Sequence, residues 1–241
     1  MNTAKLARRT AKWLVLAAGA AAAVYGILVG TAWWGYGDVA PGAVNERDPL
    51  LDRFIPVYEI VERHHIRVRA PAPVTLAAAR DADLQGSPVA AAIIRARELI
   101  LGSRPDGRER PRGLLRETQA LGWGVLAEVP DREIVVGAVT RPWEANVTFR
   151  ALPPDDFASF NEPGYVKIAW TLRADPADAR TSIFRSETRA VATDPLARAR
   201  FRRYWSFVSP GIVTIRWMLL GPVKREAERR AAAAGADSAA E

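Results

Sequence analysis

The stretch that decides the fold is SETRAVATDPLARARFRRYWSFVSPGIVTIR, residues 186–216. It opens inside a strand-like run, 181–192, in which Arg185, Glu187 and Arg189 share one parity. That parity turns them to the outside of a sheet, with Glu187 and Arg189 as a solvated ion pair. Asp194 then reads as a helix N-cap and Pro195 as the first helical residue. Beyond them Phe201, Tyr204, Trp205, Val208, Ile212, Ile215, Leu219 and Val223 keep one helical stripe. Ser209-Pro210-Gly211 should kink this helix without ending it. Residues 231–241 (AAAAGADSAAE) read as a disordered tail.

Upstream, strand patterns cover 121–129, 132–140, 145–152 and 165–174, with Pro130-Asp131 as a tight turn making a hairpin of the first two. The connection 153–164 reads as a loop with a short helix around Phe157. Segment 102–116 is an arginine-rich loop carrying Arg104, Arg108, Arg110, Arg112 and Arg116. Helices are expected over 74–84 and 88–101, the second opened by Ser87-Pro88. Segment 57–69 is a further strand, with Ile60, Ile66 and Val68 on one parity and Arg63, His65, Arg67 and Arg69 on the other; Pro71 and Pro73 stop it. Residues 37–56, with Gly37, Pro41, Gly42, Pro49 and Pro56, read as a linker. The class is therefore α+β. One strand, two helices, five consecutive strands and a long helix are physically complete when a curved antiparallel sheet of about six strands wraps that helix.

The N-terminus is of another kind. Residues 1–12 hold Lys5, Arg8, Arg9 and Lys12 and no acid, and Trp13 to Trp34 carries no charge. At about 1.5 Å per residue the uncharged run measures about 33 Å, against about 30 Å for a bilayer core. Residues 13–36 are therefore expected to be a transmembrane helix, ending in the aromatic belt Trp33, Trp34 and Tyr36. The basic flank puts the N-terminus in the cytoplasm and the remaining chain outside it, in a single pass of the cell membrane. A cleaved signal peptide would have a shorter apolar stretch and a small-residue cleavage site. Gly26 and Gly30, with Ala22 at the same spacing, suit a homodimer of such helices.

The chain has 241 residues and a net charge of +7, and lacks Cys. The absence of Cys excludes thiol catalysis, zinc fingers and iron–sulfur ligation. The charge invites a nucleic-acid reading, but four of the seven units sit in the first twelve residues and no nucleic-acid module is recognisable. No G-x-S-x-G, G-x-x-x-x-G-K-[ST] or G-x-G-x-x-G occurs, so no cofactor is expected. No metal site is expected either, since the two histidines, His64 and His65, are adjacent on a strand and point to opposite faces.

HIRVRAPAPVTLAAA at 64–78 and the stretch 186–216 resemble the first strand, the entry to the first helix, the last strand and the closing helix of the START-like helix-grip (SRPBCC) superfamily. That superfamily includes polyketide cyclase/dehydrase-like and lipid-transport proteins. The resemblance covers about 57–230; the N-terminal anchor and the arginine-rich loop depart from it. It implies an apolar ligand held in a cavity between the sheet and the long helix, with catalysis in a minority of members.

The candidate ligand residues are Trp123, Phe149 and Trp170 from the strands, with Phe201, Trp205, Ile212 and Ile215 opposite on the helix. Glu62 and His64 share the inward parity of Ile60 and Ile66. Such a pair is a ligand contact, an acid/base pair, or two groups satisfying each other. The expected protein is a membrane-anchored, non-catalytic binder of a hydrophobic small molecule or lipid. A cyclase/dehydrase-like enzyme using Glu62 and His64 and a solid-core scaffold are the alternatives. The arginine-rich loop is a candidate contact for anionic headgroups.

Overall fold

A computed structural model of the chain describes residues 3–40, 42–43, 46–83, 87–104 and 111–240, with side chains described over 9–236 within these. Arg108 and Arg110 of the arginine-rich loop lie outside the described residues, as do Pro41 and the side chains of Lys5 and Arg8.

Helix α1 (Thr3–Trp34) runs without a break from the basic segment through the uncharged run. A short helix α2 (Pro49–Asp52) follows, capped by Asp48, whose carboxylate accepts from the Leu51 N–H at 2.8 Å. Strand β1 (Ile60–Val68) ends before Pro71, and α3 (Ala72–Asp81) begins there. Helix α4 (Pro88–Leu101) is capped by Ser87, which accepts from Ala90 N at 3.3 Å, and closes on left-handed Gly102. Then come α5 (Leu114–Ala120), β2 (Gly124–Val129) and β3 (Glu133–Thr140). The β2–β3 turn holds Asp131 at φ 61°, a conformation an aspartate side chain tolerates. A two-residue β4 (Phe149–Arg150), α6 (Pro154–Ser159), β5 (Val166–Pro176), β6 (Ser182–Ala192) and α7 (Pro195–Ala240) complete the chain.

The sheet is antiparallel in the order β1-β6-β5-β3-β2, with β4 beside β3. Its inner face packs on α3 and α7, where Phe201, Trp205, Leu219, Val223 and Ala227 of the helical stripe are buried. Asp194 caps α7 as expected, accepting from Leu196 N at 2.8 Å and Ala197 N at 3.0 Å. The architecture is a helix-grip.

Four expectations need correcting. The last residues of the arginine-rich loop, from Leu114, open α5, because Leu115 and Thr118 bury one face of a short helix there. The run 145–152 gives only the two residues of β4. Residues 231–240 continue α7, as an alanine-rich segment can once a helix is already running. The fourth correction is larger. The expected linker 37–56 is not a linker over 46–56, which forms a strap over the outer sheet face, where Leu51, Phe54 and Ile55 pack with Val135, Val139 and Phe157 in a second core. Gly137 belongs to this layer, since a Cβ there would stand 2.4 Å from Leu126 Cδ1.

Glu187 and Arg189 do face outward, yet the strap buries both to 5% and 3% exposure. Arg189 donates to Glu187 at 2.7 Å, to the Ile55 carbonyl at 3.0 Å and to Asp52, and lies over the Tyr58 ring. Arg63 reaches the second oxygen of Glu187 at 3.1 Å. A parallel contact joins buried Asp48 to Glu133, whose carboxyl is pushed up to about 8, first by burial and then by Asp48.

Removing one partner of a buried ion pair leaves the other charged and desolvated. Arg189→Met is expected to cost about 3 kcal/mol in chemical denaturation, and Arg69→Ala, at an exposed pair, under about 1 kcal/mol. The Glu133 carboxyl binds its proton more tightly folded than unfolded, so its contribution is complete at acid pH and is lost as pH climbs toward about 8. Glu133→Gln should flatten that decline in thermal melts across this window.

Candidate functional site

The end of α1 is locked to the domain. Arg202 of α7 donates twice to the Trp33 carbonyl, at 2.9 and 3.1 Å, and its guanidinium lies 4.4 Å from the Trp33 ring centroid. Tyr25 donates to the Phe207 carbonyl at 2.6 Å. Tyr36 donates to Glu59 at 2.6 Å, and Arg198 pairs with the other oxygen of that carboxylate at 3.1 Å.

These contacts hold three elements around a groove of about 670 Å³. One wall is the last turns of α1 (Leu28, Thr31, Ala32), the second is the edge strand (Ile60, Glu62), and the third is α7 (Trp205, Ser209, Pro210, Val213). Its lining is mainly apolar, with Glu59, Glu62 and Arg63 charged at its β1 side and Asp38 beyond the end of α1.

Behind Glu62 a polar strip crosses the inner face. The register sets Thr188 opposite Glu62 and Ser186 opposite His64. Glu62 Oε2 lies 3.8 Å from His64 Nε2, within ion-pair reach but too long for a hydrogen bond. His64 Nε2 and Ser186 Oγ are both buried without a hydrogen-bond partner among the described residues. Arg216 descends from α7 with its guanidinium 4.8 Å from the Trp170 ring centroid, in no ion-pair contact with a described residue. Burial raises the Glu62 carboxyl above its ordinary range, opposed by Arg216. Burial first, then Arg216 and His65, hold the His64 imidazole below the usual histidine value. Desolvation likewise lowers Arg216, to about 10. The cluster therefore offers a neutral imidazole, a hydroxyl and one cation beside a carboxylate.

The candidate residues fall into two groups. Trp170 meets Trp123 edge-to-face at 6.4 Å, and Trp123 meets Phe149 tilted at 4.9 Å, so these rings form a chain that ends under Arg216 at Trp170. Phe201, Trp205 and Ile212 instead join Tyr36 and Ile60 in a cluster beside the groove. Only Trp205 and Glu62 of the candidates line the groove; Ile215 is partly buried and does not. Sequence reading missed Arg216 and Ser186. Arg216 lies four residues from Ile212 and three from Leu219, on the stripe itself, and Ser186 shares parity with Phe184. Both were legible as polar residues on apolar faces. Among the described residues no group of three or more His, Asp or Glu is placed to hold a metal ion.

Two helices are long and apolar enough to cross a membrane, Arg9–Trp34 in α1 and Pro195–Ala236 in α7. The second is the core helix of the grip; the first, by composition and position, also fits a signal sequence. No protein-family model and no curated protein sequence matches the chain. Among solved structures it is similar to a point mutant of norcoclaurine synthase from Thalictrum flavum, at 11% identity over 71% of this chain and 95% of that one, with TM-score 0.36. Similar too are the Zhui aromatase/cyclase of a Streptomyces species (15%, 71% and 94%, TM-score 0.24) and a hypothetical protein of Helicobacter pylori (10%, 73% and 98%, TM-score 0.28). At such values the helix-grip assignment stands on the chain's own sheet order and closing helix.

Arg216 disfavours the imidazolium of His64 and favours the carboxylate of Glu62. Arg216→Met should therefore raise both titration midpoints, followed by NMR of the His64 ring and of the Glu62 carboxyl carbon. Midpoints that do not move would mean that Arg216 does not face this pair.

Proposed function

We propose that this chain is a membrane-anchored helix-grip protein that binds a hydrophobic small molecule or lipid without transforming it. In this reading α1 is retained as a single-pass anchor, with its basic end in the cytoplasm and the domain on the other side. The ligand lies in the groove between α1, β1 and α7, its polar end toward Glu62, with His64 and Arg216 behind. One observation carries the reading: one wall of the groove is α1, the uncharged N-terminal helix itself. An amphiphile leaving a bilayer along α1 would meet the groove without crossing water, and transfer of its apolar surface would not be interrupted. A cyclase/dehydrase-like reaction at Glu62 and His64 has less support, because only Glu62 of the two lines the groove. Gly26 and Gly30 have nothing within 4 Å of a Cβ built on either, leaving that face open for a second α1.

Native mass spectrometry of the detergent-extracted full chain tests this proposal. The expected result is a co-purified lipid or apolar molecule on the wild type, with occupancy reduced several-fold in Val213→Trp, which fills the groove, and unchanged in Arg180→Ala. A wild-type protein that is empty even when gently extracted and supplied with lipid would overturn it.

A further inference from the structure

Helices α1 and α4 meet the same short stretch of α7. Arg202 and Phe207 take the contacts from α1. On another side of α7, Tyr204 accepts from Arg97 of α4 at 3.2 Å, and Arg97 also donates to the Pro142 carbonyl at 3.3 Å. Close by, a Cβ at Gly211 would stand 2.7 Å from Ile93 Cγ2, so the α4–α7 crossing needs glycine at this position. At 3.6 residues per turn, Phe207 falls on the arc of α7 between its α1 side and its α4 side.

This arc carries Phe207, 48% exposed, between Arg200 and Arg203, and one face of α4 is apolar and uncovered. Val89, Ala92, Ala96, Leu99 and Ile100 share that face at helical spacing, and Leu99 and Ile100 are 78% and 67% exposed. Arg95 is the one charged residue of α4 that is fully exposed. Single exposed apolar side chains are ordinary on a soluble surface, but a whole helix face of them marks an interaction site.

The length of α1 indicates what covers that face. The uncharged run Trp13–Trp34 matches a bilayer core, but the part clear of the domain, Trp13–Val24, measures only about 18 Å. A bilayer that covers the full run must extend over the turns from Tyr25 to Trp34, which is where α7 stands beside α1 with α4 packed on it.

We infer that the outer face of α4, together with Phe207, lies in the bilayer at the boundary of headgroups and acyl chains, as an interfacial helix beside α1. This rests on the reading of α1 as a membrane-spanning helix. The charge pattern agrees with a phospholipid surface as the occupant. Arg95 on α4 and Arg200 and Arg203 on α7 are exposed, and their long stems let the guanidinium groups reach phosphates from a partly immersed face. The domain is then seated in its membrane, and the groove opens at acyl-chain depth.

The chain has no Cys, so single-cysteine labelling is clean. The full chain is placed in nanodiscs of phosphatidylcholine with a minority of phosphatidylglycerol. An environment-sensitive fluorophore is attached at Leu99→Cys, Ile100→Cys or Phe207→Cys, with Ala20→Cys in α1 and the exposed Asp155→Cys and Arg180→Cys for reference. Labels at 99, 100 and 207 should be blue-shifted and quenched by doxyl lipids several-fold more than labels at 155 and 180. Quenching at 20 but only background quenching at 99 and 100 would overturn the inference while leaving the anchor intact. Background quenching at 20 as well would overturn the anchor and the inference with it. A blue shift at 99 and 100 without lipid quenching would mean that a second protein copy covers this face, and would also overturn it.

Discussion

Strand β3 is buried along its whole length and β5 along most of it, so the centre of the sheet carries side chains that must leave water on both faces. Helix α7 covers one face and the strap over residues 46–58 covers the other. The strap lies between α1 and β1 in the chain, so the same segment that covers the sheet also links the two. A flexible linker would leave α1 and the domain independent. Here the strap buries Leu51, Phe54 and Ile55, ties Asp52 to Arg189 and sets Asp48 against Glu133, so the segment between α1 and β1 is itself seated on the sheet. The contacts of Arg202 with Trp33 and of Tyr36 with Glu59 complete that attachment, and the groove exists only because of it.

Much of the grip was legible in the sequence, and the reasons are local. The Asp194-Pro195 cap and the stripe from Phe201 to Val223 describe α7 because helix periodicity and capping are properties of neighbouring residues. Alternation set the inward parity of Glu62 and His64 for the same reason. The strap was not legible, since LLDRFIP at 50–56 has no period and its apolar residues acquire meaning only beside Val135 and Phe157, far along the chain. That omission also made Glu187 and Arg189 look solvated, although their parity was right. Only the strap could turn an outward parity into a buried one. The groove was missed in the same way: it lies between a segment read as an anchor and one read as a closing helix.

The polar strip is the costly feature of the inner face. An imidazole nitrogen and a serine hydroxyl buried without hydrogen-bond partners, beside a guanidinium held by an indole ring, do not stabilise the fold. Unpaired polar groups of this kind are usually retained where something else satisfies them. Under the proposal, the apolar walls supply affinity while Glu62, which lines the groove, supplies discrimination between headgroups, its charge favoured by Arg216 behind it.

The central claim is that the groove walled by α1, β1 and α7 is where an apolar ligand resides. Photocrosslinking answers it most directly, using a diazirine-bearing phospholipid in membranes that hold the full chain, followed by peptide mapping. The account predicts adducts concentrated on the peptides containing Leu28 to Ala32 and Trp205 to Val213, competed away by unlabelled lipid. Adducts confined to the bilayer-exposed part of α1, with none on the peptide containing Trp205 and Val213, would contradict it.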